Sequence, residues 1–251
     1  MNLGLAGKRV VVTGASRGIG LGIAEGFHLE DCTLVSNGRN EARLVSSIAN
    51  RDDWFGVAGD VADPLKAHGV IQHAVDILGG LDILVCNVGS GKSAPPGHEN
   101  FTDWQKSLSL NLSSATNIIE AAIPELKKTK GVIVCISSIC GIEVVPGAPV
   151  TYSAAKAALN AYIRGIAVPL GADGIRINGV APGNILFPGS VWDEKVKDNA
   201  RAVNKMLAEN IPLERLGSLT DVVNLVLWLS SPLSSFITGS IHICDGGQTR
   251  T

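Results

Sequence analysis

Short β-branched runs alternate with longer amphipathic stretches from one end of the chain to the other. The apolar runs fall at 9–13, 33–36, 54–58, 83–86, 132–136, 176–180 and 241–244 and predict strands. Between them, helix-length patterns fall at 18–29, 41–49, 64–78, 101–126, 152–171 and 220–229. Runs such as VVVT, ILVCN and VIVCIS are apolar on both faces, as parallel strands covered by helices on each side would be. Strands alternating with helices in this way predict an α/β fold: a doubly wound, parallel, seven-stranded sheet with helices on both faces. No Pro/Gly/Ser-rich linker divides the 251 residues, so one domain over 1–251 is expected. In such sheets ligands sit beyond the carboxyl ends of the strands, where strand order reverses. Chemistry is therefore expected in the loops that follow strands.

Composition narrows the partners. Apolar residues make up 45% and charged ones 18%, which suits a packed globular core. A net charge of −2 offers no footprint for nucleic acid or an anionic membrane. The start, MNLGLAGKRVVVTGAS, lacks a signal-peptide pattern, and no uninterrupted apolar run predicts a membrane span. Cys32, Cys86, Cys135, Cys140 and Cys244 are scattered without a CxxC, which predicts buried reduced thiols in a cytoplasmic protein. The five histidines form no HExxH, so no metal is expected.

Two phosphate-type loops compete. Gly89-Ser-Gly-Lys-Ser93 looks like the end of a triphosphate-binding loop. That loop needs a glycine where Cys86 stands, and it belongs after the first strand rather than the fourth. Thr13-Gly-Ala-Ser-Arg-Gly-Ile-Gly20 does follow the first strand and opens a helix. Glycines at 14, 18 and 20 let the backbone turn tightly against a pyrophosphate, while the helix presents its N-terminal amides. Further on, Tyr152 and Lys156 stand four apart on a predicted helix, so phenol and ammonium share a face. The overlapping Ser153-Ala-Ala-Lys156 is an SxxK without its SDN and KTG companions, and there is no GxSxG, so acyl-transfer chemistry is disfavoured.

The TGxxxGxG and YxxxK stretches, with matching loops in order between and after them, resemble the short-chain dehydrogenases/reductases along essentially the whole chain. The resemblance implies a Rossmann-type sheet with a cofactor half at about 1–130 and a catalytic and substrate half at about 131–251. It makes Gly14, Ser16, Arg17, Gly18, Ile19 and Gly20 the dinucleotide turn. The second strand ends in Ser36-Asn-Gly-Arg39, with no carboxylate for a ribose diol. Arg39 and Arg17 instead suit a 2′-phosphate, so NADP(H) is favoured over NAD(H). Asp60 and Val61 resemble the family's adenine contact, and Asn87 and Gly89 its cofactor wall, with Cys86 and Val88 as departures from NNAG.

The same resemblance implies a catalytic set of Asn111, Ser138, Tyr152 and Lys156. Ser138 would hydrogen-bond the substrate carbonyl, and its register with Gly141 favours it over Ser137. Tyr152 would be the general acid/base, its pKa drawn down by Lys156 and an oxidised nicotinamide. Lys156 would also hold the nicotinamide ribose, and Asn111 a water that relays protons to Lys156. Pro182, Gly183 and Ile185 match the PG motif beside the nicotinamide, although Phe187 stands where many relatives have threonine. A mobile lid is expected at 186–208, with Phe187, Val191 and Trp192 as pocket candidates and Lys92 and Glu143 as polar ones. The implied activity is interconversion of a carbonyl and a secondary alcohol on a small molecule, by a homotetramer or dimer. A sugar epimerase or dehydratase, or an NADPH-sensing binding protein, are the alternatives.

Overall fold

The computed structural model describes residues 2–48 and 51–250. Seven parallel strands form one sheet in the order β3-β2-β1-β4-β5-β6-β7. They are β1 (Arg9–Val12), β2 (Thr33–Gly38), β3 (Trp54–Ala58), β4 (Ile83–Cys86), β5 (Val132–Ile136), β6 (Arg176–Pro182) and β7 (Ile241–Cys244). The order reverses between β1 and β4, which are paired in register from Val10↔Ile83 to Val12↔Val85. The expected fold class is the one found.

Alternate residues of each strand face opposite layers, and the core divides accordingly. Val11, Val35, Leu84 and Ile133 pack with α3 (Pro64–Leu78), α5 (Ser114–Thr129) and α6 (Val150–Ala172). Val10, Val12, Leu34, Val85 and Val134 pack with α1 (Gly18–Leu29) and α8 (Leu219–Ser230). The last two helices approach closely because α1 turns glycines toward α8. A β-carbon at Gly26 would stand 2.5 Å from Val223 Cγ1.

Helix boundaries differ from expectation in instructive places. The stretch expected to be helical at 41–49 is α2 (Glu41–Ile48); Ala49 lies outside the described residues. The helix expected at 101–126 is α4 (Phe101–Leu108), a π-turn over Ser109–Ser113, then α5. Asn111 sits within that π-turn, and its side chain donates to Ser107 O at 3.1 Å. Most of the region expected to form the lid is α7 (Val191–Asn210), with a kink where Asn199 takes φ −153° and ψ 80°. No helix among the described residues is long and apolar enough to cross a membrane.

At the end of the sheet away from the cleft, Arg9 ties β1 to the start of β4. Its Nε donates to Asp82 Oδ2 at 2.8 Å, its Nη2 to Oδ1 at 3.1 Å, and its Nη1 to Gly79 O at 2.8 Å. Partial burial works to raise the Asp82 pKa, but hydrogen bonds from Arg9 outweigh it and hold the carboxyl below 3.8. The pair's contribution is therefore complete above that ordinary value and lost as the pH falls below it. Asp82→Asn is expected to cost about 2 kcal/mol at neutral pH and markedly less in acid. Urea melts of both proteins across that range check it; a constant difference would refute the linkage.

Candidate active site

Strand ends β1, β2, β4, β5 and β6 surround a cleft of about 660 Å³ at the point where strand order reverses. Its floor at one end is the glycine turn. Gly14 and Gly18 hold φ of +63° and +58°, where a side chain would be strained. A β-carbon at Gly20 would collide with Gly14 O and the Asn87 amide. Asn87 explains why: its Nδ2 donates to Thr13 O at 3.0 Å and Gly14 O at 3.2 Å, and its backbone amide donates to Thr13 Oγ1 at 3.0 Å. The end of β4 thus clamps the first loop, and the amides of α1 open into the cleft. A cradle that any β-carbon would fill is what a pyrophosphate needs.

The far end of the cleft is cationic. Arg17, Arg39 and Arg43 line it together. Arg39 is largely exposed, 3.7 Å from Asp60 Oδ2. Arg43 escaped the sequence reading; it lies in the first turn of α2, where the Oδ1 of Asn40 accepts its amide at 2.9 Å. The signal that could have found it is an arginine in the first turn of the helix that follows the β2 loop. Asn37 was missed as well. It lines the same end, fully buried, donating to Val57 O and Gly59 O, and its Oδ1 has no partner among the described residues. A buried acceptor left open beside three arginines fits a ligand rich in hydroxyl or amine donors.

At the other end, Ser138, Tyr152 and Lys156 converge. Ser138 follows β5, and its Oγ accepts the Cys140 amide at 3.1 Å, which orients the hydroxyl. Gly141 lets this loop lie on α6, since a β-carbon there would come within 2.6 Å of the Lys156 carbonyl carbon. The neighbouring Ser137 turns away, its Oγ donating to Asn160 Oδ1 at 2.6 Å. It is a structural tie between β5 and α6. Lys156 is buried, with Nζ donating to Ile136 O at 2.8 Å. Burial lowers its pKa to about 8.

Burial pushes the Tyr152 phenol up to about 12, with Ser138 acting in the opposite sense. The lowering expected from an oxidised nicotinamide belongs to the cofactor-bound site. Asn111 is buried behind the cleft wall, and its Oδ1 accepts the Ser90 amide at 2.8 Å while its Nδ2 donates to Ser90 O at 3.2 Å. Its side chain holds the loop after β4 in place. Gly89 separates it from Lys156: a β-carbon there would lie 2.8 Å from Asn111 Oδ1 and 3.1 Å from Lys156 Nζ.

The remaining residues singled out in the sequence, Ser16, Ile19, Asp60, Val61, Pro182, Gly183 and Ile185, all line the cleft. Phe187 does not fill the place of a threonine hydroxyl. Its ring covers the glycine turn, 2.8 Å from where a Gly18 β-carbon would be. Glu143 faces the C-terminal segment instead, accepting the Arg250 amide at 3.2 Å. All five cysteines are free thiols, but Cys140 and Cys244 are only partly buried. Cys86 and Cys135 are register partners on adjacent strands.

The sequence family described as enoyl-(acyl carrier protein) reductase matches residues 14–249. Isoepoxydon dehydrogenase patN of Penicillium expansum is 30% identical over 98% of this chain and 96% of its own. L-sorbose reductase of Gluconobacter frateurii, solved with NADPH and L-sorbose, superposes with a TM-score of 0.93 at 31% identity, covering both chains fully. A 7α-hydroxysteroid dehydrogenase solved with NADH and 7-oxo glycochenodeoxycholic acid gives 0.90 at 29% identity, covering 100% of this chain and 97% of that one. With the fold, the strand-end cleft and these matches along nearly its entire length, the chain belongs to the short-chain dehydrogenase/reductase family of oxidoreductases.

Proposed function

We propose that the protein is an NADP(H)-dependent reductase that interconverts a small carbonyl compound and its secondary alcohol. The observation that carries this reading is the convergence of Ser138, Tyr152 and Lys156 in one cleft with a glycine cradle and three arginines. Gly14, Ser16, Gly18, Ile19 and Gly20 would hold the pyrophosphate, and Asp60 and Val61 the adenine. Asn87, Gly89 and Lys156 would hold the nicotinamide ribose, and Pro182, Gly183 and Ile185 the ring. When bound, the cofactor supplies or accepts the hydride at the carbonyl carbon.

The chain's own part is the proton and the oxygen. Ser138 donates its hydroxyl proton toward the substrate oxygen, which can only accept, while its own oxygen accepts the Cys140 amide. Tyr152 then gives the phenolic proton to that oxygen as negative charge develops. A phenol held at about 12 is fully protonated at neutral pH, which is the donor form needed for reduction. Oxidation needs the opposite form and is favoured as the pH rises. Asn111 fixes the loop that borders Lys156, and Lys156 keeps a cation beside the site. A homo-oligomer, dimer or tetramer, is part of this reading, supported by apolar side chains left exposed, Phe236 and Val168 among them.

Monitoring NADPH and NADH consumption against a panel of ketones, oxo acids and ketoses tests the proposal. Consumption of neither with any of them would refute it. Cofactor choice has its own test. Arg39→Glu removes a cation and places a carboxylate at the end of β2, so the preference for NADPH over NADH is expected to fall at least about tenfold. The two cofactors' kcat/KM values in both proteins measure this; an unchanged ratio would remove Arg39 from phosphate recognition.

A further inference from the structure

The substrate end of the cleft carries a charge that the reductase reading leaves unused. Apart from the buried Lys156, Lys92 is the one cation lining this end among the described residues, and no carboxylate lines it. Lys92 is strongly exposed, and its Nζ lies 4.0 Å from Glu194 Oε1 on the first turn of α7. Among the described residues this is the only ion pair joining α7 to the rest of the protein; its others stay within the helix. A long, exposed pair of this kind contributes almost nothing to stability, so Lys92 can exchange one carboxylate for another at little cost.

The loop beneath Lys92 is rigid by contrast. Ser90 is gripped at both backbone groups by Asn111, and the Lys92 amide donates to Ser90 Oγ at 3.1 Å. A β-carbon at Gly91 would stand 3.8 Å from Tyr152 Cε1, so the backbone just before Lys92 lies against the phenol ring. An extended lysine reaches on the order of 6 Å from its Cα. Its ammonium can thereby reach a group a few bonds from a carbonyl that meets Tyr152.

We infer that the substrate is an oxo compound with an anionic group, a carboxylate or a phosphate, a few bonds from its carbonyl, and that Lys92 binds that group in exchange for Glu194. This rests on the reductase reading. A neutral substrate would leave the Lys92–Glu194 pair in place and gain nothing from it, and a cationic one would be repelled by Lys92.

The test uses matched pairs: acetoacetate against methyl acetoacetate, and dihydroxyacetone phosphate against dihydroxyacetone. In the wild type, kcat/KM is expected to favour one anion over its neutral partner at least about tenfold. Lys92→Gln should bring that ratio to about one, chiefly through KM, and Glu194→Gln should raise it by freeing the ammonium. Lys197→Gln removes the same charge from α7 at a lysine paired with Asp193, and should leave the ratio as it is. The arm that shows the preference identifies the anion as carboxylate or phosphate.

A wild-type ratio near one in both arms, or a preference that survives Lys92→Gln, would overturn the inference. Calorimetric titration of acetoacetate and of glycerol phosphate, with and without NADP+, reads the anion site without turnover. Saturable binding that Lys92→Gln abolishes supports the inference even if no carbonyl is reduced, in which case the reductase reading alone fails. No binding and no preference overturns the anion site while leaving the reductase reading intact.

Discussion

Tyr152→Phe is expected to lower kcat for carbonyl reduction on the order of a thousandfold while leaving NADPH affinity within about twofold. The substitution removes one oxygen and keeps the ring, so the packing of α6 and of the loop at Gly91 should survive. What is lost is the proton donor beside Ser138 in the cleft. The pH dependence of the wild type sharpens the expectation. Because burial holds the phenol at about 12, reduction should stay on a plateau through neutral pH, whereas oxidation of the alcohol should climb as the pH rises. Cofactor binding by fluorescence and single-turnover rates, measured in both directions between pH 6 and about 10, separate these effects. A variant that retains more than about a tenth of the rate would place the proton donor elsewhere.

Lys156→Met should do two opposite things: lower turnover by a factor on the order of 10² to 10³, and make the protein more stable at neutral pH. The ammonium is buried and accepts only partial compensation, one bond of 2.8 Å to Ile136 O. Burial pulls its pKa from 10.5 to about 8, so the folded protein bears the cost of a desolvated cation at pH 7. That cost is complete below about pH 8 and vanishes as the pH rises past 10.5, where the unfolded chain also loses the proton. Methionine fits the same volume without charge, and leaves only the Ile136 carbonyl unpartnered. The net gain is about 1–2 kcal/mol, or a few degrees in Tm. Thermal melts at pH 7 and pH 10 should show the gap narrowing upward. Equal or lower stability of the variant at pH 7 would mean that Lys156 holds the fold together as well as serving the cleft.

How far the sequence could be read depended on how much burial each segment carries. Strands β4 and β5 are completely covered, and β1 beyond Arg9 is too, so their runs of Val and Ile were visible without context. The glycine turn was legible because Gly14, Gly18 and Gly20 answer to backbone geometry rather than to neighbours. Helix α7 was not legible. Its apolar stripe is thin, with Val203 and Leu207 packed on a small cluster with Ile211, Trp192 and Val196, while the rest of its surface is charged and exposed. The π-turn at Asn111 was hidden for a different reason. It depends on a side chain gripping a loop twenty-one positions away, and no helical periodicity records such a contact. The rise in the Tyr152 pKa could not be read either, because a spacing of four shows that two groups share a face but not how dry that face is. Register with Gly141 already separated Ser138 from Ser137, but the tie of Ser137 to Asn160 could not be read from the chain.

The Phe187 ring lies so close to Gly18 that any side chain there would meet it, so the glycine and the phenylalanine are matched to each other. Phe187 belongs to the same short turn as Ser190, which caps α7 and accepts the Phe187 amide, so moving the ring tugs directly on the helix that carries Glu194. Phe187 and the first turn of α7 therefore answer to one serine, and a substitution at Ser190 would be felt both at the glycine turn and at Glu194.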